Sequence, residues 1–271
     1  MPRTLTLGNL QPYQPIGDFG GLSFWPGSLT LLAAAPGVGK TSWLLRMSAE
    51  AAQAGLPAAL GCFEHTADEL EYRRRQQARA AVAGAHREAN ERHTAGWLAR
   101  SAQLVLLPLN GEEDTLRSIE QDLIRSYRFP HQGPALLAID YLQRIPMVGL
   151  TGLAAEDRRA GDAAAGLRSL ARRHGWAVIA AAALRTATFR EQEMTGLEGL
   201  WGDERVGYEP DRVILLHPAR RLPCGCTRLT ARFLKDRTGP LRELAITFFG
   251  ARFYPALLEE DQEHASDACK I

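Results

Sequence analysis

Lys40 and Thr41 close a Pro/Gly-rich turn, Ala35-Pro36-Gly37-Val38-Gly39. Glycines at this spacing let successive backbone N–H groups curl around phosphate oxygens. A helix opening at the turn aims its positive end at the same point. A lysine there reaches the β- and γ-phosphates of a nucleoside triphosphate, and the hydroxyl after it holds Mg²⁺. The cradle would comprise Pro36, Gly37, Val38, Gly39, Lys40, Thr41 and Ser42. Ala34 replaces the first glycine of the strict pattern. A second chemical group is Asp140, which closes the apolar run Ala135-Leu-Leu-Ala-Ile139. After a phosphate loop, an acid in that place holds a metal-bound water beside the triphosphate. Capping of the strand end is its plainer use.

These residues need strands and helices to bring them together. Residues 28–33 read as a strand feeding the turn, and Leu44, Met47 and Ala51 mark a helix over 41–54, stopped by Gly55 and Pro57. Ala58–Phe63 is a second buried strand, and Thr66 with Glu69 forms a capping box that opens a helical region reaching Arg100. Arg73, Arg74 and Arg75 on it read as a solvated face. Leu104–Leu107 is a third strand. Glu112, Glu113 and Asp114 favour a helix start, with Leu116, Ile119, Leu123, Ile124 and Tyr127 as its buried stripe. The strand ending at Asp140 is the fourth. A Gly-rich loop over 146–156, a helix over 157–174, a fifth strand at Ala177–Ala182, a long polar loop over 185–210 and a sixth strand at Arg212–His217 follow. Two further strands, Thr227–Leu234 and Leu244–Phe249, flank Lys235–Pro240. Alternating strands and helices followed by hairpins predict an α/β fold, its sheet mainly parallel with an antiparallel edge. One domain over 1–258 is expected, opened by an irregular arm over 1–27 and followed by a frayed tail over 259–271.

The chain has 271 residues and a net charge of +1, so its overall field does not call for a polyanionic partner. No apolar run approaches the roughly 18–20 residues of a membrane span, and no signal segment opens the chain. The four cysteines fit a reducing cytoplasm. Cys224 and Cys226 with His217 could hold a metal, but Pro223 and Gly225 also suit an ordinary surface hairpin.

Several segments together resemble the C-terminal ATPase domain of DnaB-type replicative helicases, a branch of the RecA-like P-loop NTPase fold. They are Gly20-Gly21-Leu22, Pro26-Gly27 and the phosphate loop, then Cys62-Phe63-Glu64-His65 and Ile139-Asp140-Tyr141-Leu142-Gln143. The last are Lys235-Asp-Arg-Thr-Gly-Pro240 and Phe248-Phe249. The family tolerates alanine at the first loop position. The resemblance implies ATP and Mg²⁺ as cofactors, with Lys40 on phosphate, Thr41 and Asp140 on metal, and Gln143 among the nucleotide-contacting residues. It implies Glu64 as general base, although a carboxylate at a helix entry also has a structural use. Lys235 and Arg237 would reach the γ-phosphate of an adjacent subunit in a homo-oligomer, a hexamer in the family; solvated strand-edge cations are the alternative.

The same resemblance puts single-stranded DNA against loops near 146–157 and 185–207, with Arg158, Arg159, Arg185, Arg190 and Arg205 as candidate contacts. It points to a 5′–3′ helicase or translocase. Two departures bear on that reading. Ala183 occupies the place of a family glutamine, and alanine has no side-chain hydrogen bond to offer. The family's separate N-terminal domain does not match here. Both favour an alternative, a RecA-, RadA- or KaiC-like ATP-dependent assembly or regulatory factor in recombination or in plasmid or phage replication. Such a factor would assemble on nucleotide without unwinding.

Overall fold

The computed structural model describes residues 14–81, 87–147, 153–185, 196–222 and 225–257. A nine-stranded sheet orders the chain. Its parallel strands are β3 (Leu29–Ala34), β4 (Ala58–Cys62), β5 (Val105–Pro108), β6 (Leu136–Asp140), β7 (Ala177–Ala183) and β8 (Arg212–Arg221). Three antiparallel strands extend one side: β9 (Thr227–Asp236), β10 (Glu243–Phe249) and β11 (Tyr254–Leu257). The order is β11-β10-β9-β8-β3-β7-β6-β4-β5. β3, β4 and β6 are buried along their whole length, which is why they read as continuous apolar runs rather than as alternating ones.

The two faces of β3 sort its residues with period two. Leu29, Leu31 and Ala33 join a core with α4 (Leu116–Arg125) and α5 (Leu153–His174). Leu32 and Ala34 face the opposite core, built on α1 (Lys40–Gln53). Burying one leucine in either layer is worth about 1.5–3 kcal/mol. α2 (Ala67–Ala81) and α3 (Arg87–Arg100) pack on each other beside α1. A single turn of helix, α6 (Arg205–Tyr208), precedes β8.

Several expectations are corrected. The N-terminal arm contains a hairpin, β1 (Gly17–Phe19) and β2 (Leu22–Phe24), turned at Gly20 and Gly21. Both glycines have positive φ, 57° and 81°, as a two-residue hairpin loop of this hand requires. Trp43 on α1 donates its indole N–H to the Gly20 carbonyl at 3.0 Å and ties the hairpin down. The helical region 67–100 is two helices. The acids at 112–114 do not start α4. Thr115 does, its Oγ1 accepting the Ser118 N–H at 3.2 Å, while Asp114 accepts backbone N–H groups of the preceding turn. Tyr127 lies beyond the end of α4 and is 45% exposed, so it leaves the buried stripe. α5 begins four residues before the expected start. β8 runs four residues past His217, and β11 adds a strand that the sequence does not signal. Residues 1–13 and the tail beyond 257 lie outside the described residues.

Candidate active site

The phosphate loop occupies the C-terminal end of β3, at the mouth of a cavity of about 720 Å³. Pro36, Gly37, Gly39, Lys40, Thr41, Ser42 and Glu64 all line it. Gly37 and Gly39 have φ of 79° and 108°, conformations L side chains rarely adopt. At Gly39 a Cβ would also stand 3.1 Å from the Phe248 ring. Val38 turns its side chain into the α1 core and leaves only backbone to the loop.

Lys40 folds over the loop, with Nζ donating to the Ala34 and Ala35 carbonyls at 3.0 and 3.1 Å. Burial lowers its pKa, and the charges of Asp140 and Glu64 pull against that. Asp140 is fully buried at the end of β6, directly beneath Thr41. Its Oδ2 accepts the Thr41 hydroxyl at 2.6 Å, and the Cys62 thiol lies 3.7 Å from the same oxygen. Burial, then the neighbouring Asp140 charge, push that thiol up to about 12, so it stays neutral. Asp140 Oδ1 is buried with no hydrogen-bond partner. A hydroxyl beside a bare carboxylate oxygen, under a turn of backbone donors, is a hard oxygen donor set. It fits Mg²⁺ better than a soft-ligand metal. The Asp140–Tyr141 peptide is cis.

The cavity has two further walls, each drawn from segments far apart in sequence. Phe248, Gly250, Phe253 and Arg73 form one, with the Arg73 guanidinium 4.6 Å from the centre of the Phe253 ring. This corrects the reading of Arg73 as part of a solvated face; nothing along its own helix signals a partner 180 residues on. Gln77 supports this wall by donating to the Phe253 and Ser42 carbonyls, each at 2.7 Å. Tyr141, Ala183, Leu184 and Trp201 form the opposite wall. Gln143 does not line the cavity. It lies behind this wall, where its side-chain amide bonds Ala183 N–H and the Trp201 carbonyl.

Lys235 and Arg237 are far from this chain's own loop. Phe248, near the C-terminal end of β10, stands against Gly39, while the β9–β10 turn carrying Arg237 lies past Glu243 at the other end. Five strand steps separate them, about 17 Å. Lys235 donates to the Gly207 and Tyr208 carbonyls at 2.9 and 2.7 Å, at the end of α6. Burial, then Arg237, bring its pKa down to about 8. Arg237 donates to the Tyr208 carbonyl at 3.2 Å and lies 3.7 Å from Asp211, itself paired with Arg168.

The candidate DNA arginines separate. Arg158 is exposed, Arg159 is half-buried, and Arg185 is exposed beside Asp157. Arg205 is paired: its guanidinium is committed to Asp203 and Asp162, and those hydrogen bonds raise its pKa further. It braces α6 against α5. Arg190 lies outside the described residues. So does Cys224, while Cys226 is buried as a free thiol. Among the described residues no helix is long and apolar enough to cross a membrane.

Residues 19–253 match the model of the DnaB-like helicase C-terminal domain. Among solved structures the chain is similar to an ATPase domain, with a TM-score of 0.73, 16% identity, and coverage of 87% of this chain and 86% of that one. It is similar to a DnaB-like replicative helicase studied with its interactions with primase, at TM-score 0.73 and 17% identity. There the match covers 86% of this chain and 58% of the other protein's length. No curated protein matches the sequence.

Proposed function

The chain belongs to the DnaB-like helicase C-terminal domain family, and from that premise we propose that it hydrolyses ATP in an assembly of copies and works on single-stranded DNA. The observation that carries this reading is the Thr41–Asp140 pair with its bare, buried Oδ1 under a backbone cradle. The backbone N–H groups of 36–42 and the α1 N-terminus bind the phosphates. Lys40 exchanges its two carbonyl partners for β- and γ-phosphate oxygens. Thr41 and Asp140 hold Mg²⁺, which neutralises phosphate charge when bound. Glu64, exposed in the cavity, orients and deprotonates the attacking water. The wall of Phe248, Phe253 and Arg73 receives the base by stacking.

Lys235 and Arg237 cannot serve their own loop across about 17 Å of sheet, which supports a role on a neighbour's γ-phosphate. There, fixed cations stabilise the charge spread over the transferred group. Of the candidate arginines among the described residues, Arg158 and Arg185 are exposed, and Arg185 also donates to the Gly202 carbonyl. Ala183 supports a second reading, nucleotide-driven assembly without unwinding. Strand displacement measured with and without ATP separates the two. The first reading expects displacement; ATP-dependent assembly with no displacement selects the second. Hydrolysis itself is tested by Lys40→Ala, which should abolish ATP turnover with the melting temperature kept. Wild-type turnover no greater than that of Lys40→Ala would remove the enzymatic reading.

A further inference from the structure

Trp201 lines the cavity, but no sequence motif marks it. Its backbone is pinned from two directions. Trp201 N–H donates to the Ala183 carbonyl at 3.0 Å, and Gln143 Nε2 donates to the Trp201 carbonyl at 2.8 Å. The same glutamine accepts the Ala183 N–H through Oε1 at 3.1 Å. One side-chain amide thus spans two backbone segments and fixes their separation. The ladder continues through Leu184 and Leu200, then from Arg185 N–H to the Gly199 carbonyl at 2.9 Å.

This ladder sits on the metal side of the cavity. Tyr141, which shares the wall with Trp201, directly follows Asp140, and Ala183 is the register partner of Ala34, the last residue of β3. On the nucleotide-binding reading, Thr41 and Asp140 would hold the metal on the β- and γ-phosphate side, whereas Phe248, Phe253 and Arg73 line the other side of the cavity. Ala183 presents only a methyl group here. Trp201 lines the cavity beside it, and its indole N–H can only donate.

We propose that Trp201 is a nucleotide-contacting residue that donates its indole N–H on the terminal-phosphate side, and that Gln143 is the positioning residue that sets its backbone. This rests on the nucleotide-binding reading above. It makes the site discriminate triphosphate from diphosphate through a residue that carries no charge.

The test compares Mg²⁺ with a non-hydrolysable ATP analogue and Mg²⁺ with ADP on the full chain. Dissociation constants are measured by calorimetry, and tryptophan fluorescence is followed in parallel. Trp201→Phe keeps an aromatic ring and removes the donor. It should weaken the ATP analogue by about tenfold, as expected for a hydrogen bond to a charged oxygen, and ADP by less than about twofold. The fluorescence change on binding the ATP analogue should disappear in Trp201→Phe. Gln143→Glu removes the donor to the Trp201 carbonyl. It should reproduce the selective loss of the ATP analogue and shrink the fluorescence change, with the melting temperature held. Equal loss for both nucleotides, or no loss, overturns the proposal while leaving the phosphate loop in place. Failure of the wild type to bind either nucleotide overturns the nucleotide-binding reading and this proposal together.

Discussion

Asp140 has two oxygens in different situations. Oδ2 takes the Thr41 hydroxyl, and Oδ1 is buried without a partner. Leaving a charged acceptor bare inside a protein costs several kcal/mol, so it is tolerated where a ligand completes the site. Asp140→Asn keeps the volume and removes the charge that raises the Lys40 pKa. Turnover at saturating Mg²⁺ and ATP should fall at least about 100-fold, and thermal stability without nucleotide should hold or rise. A coupled ATPase assay alongside a melting curve checks both. At this scale the legible residues are those adjacent in sequence: Lys40 and Thr41 follow their glycines, and Asp140 ends its own strand. Arg73, Phe253 and Trp201 reach the cavity through long-range packing, and nothing beside them in sequence announces it. The pairing of Arg205 is hidden for the same reason, since Asp162 is 43 residues away.

Strands and helices position these groups, and two of them carry measurable consequences. Gly39 caps α1 at φ 108° with the Phe248 ring close behind it. Gly39→Ala strains the backbone and displaces that ring. It should cost about 1–3 kcal/mol of stability and lose nucleotide binding together with it, seen by denaturant titration and calorimetry. On the opposite face, α4 and α5 are tied by Glu120, whose carboxyl accepts from Arg173 and pairs with His174 at 2.6 Å. Burial alone would raise the Glu120 pKa; the hydrogen bonds from His174 and Arg173 outweigh it and hold the carboxyl below its usual range. A depressed carboxylate contributes stability that is complete above its unfolded value, about 4.3, and is lost as pH falls through the folded one. Glu120→Gln should therefore melt lower than wild type at pH 7, with the gap closing below about pH 4. The alternation of strands is legible because burial on both faces makes apolar runs. Helix starts are less so: three acids and a threonine compete before α4, and only side-chain geometry chooses Thr115. Hairpin β1–β2 is hidden among prolines and glycines that also suit an irregular arm.

Across the whole molecule, the loop and the two finger candidates lie at opposite ends of β9 and β10. A chain lacking fingers and a chain lacking its loop should therefore complement each other. Lys235→Ala/Arg237→Ala and Lys40→Ala, each inactive alone, should regain turnover when mixed, and wild-type activity per chain should rise with protein concentration. No recovery in the mixture, with assembly shown by mass, would remove the trans role. The separation also carries a consequence for symmetry. A contact that joins one end of this sheet to the other end of the next copy can close as a two-fold pair, each chain filling the other's cleft, or run head-to-tail around a ring. An open row always leaves its last cleft without fingers, so a head-to-tail pair has one complete site between two chains. Only a closed arrangement has as many working sites as subunits. Closure, rather than mere association, would then mark the step at which activity per chain reaches its ceiling.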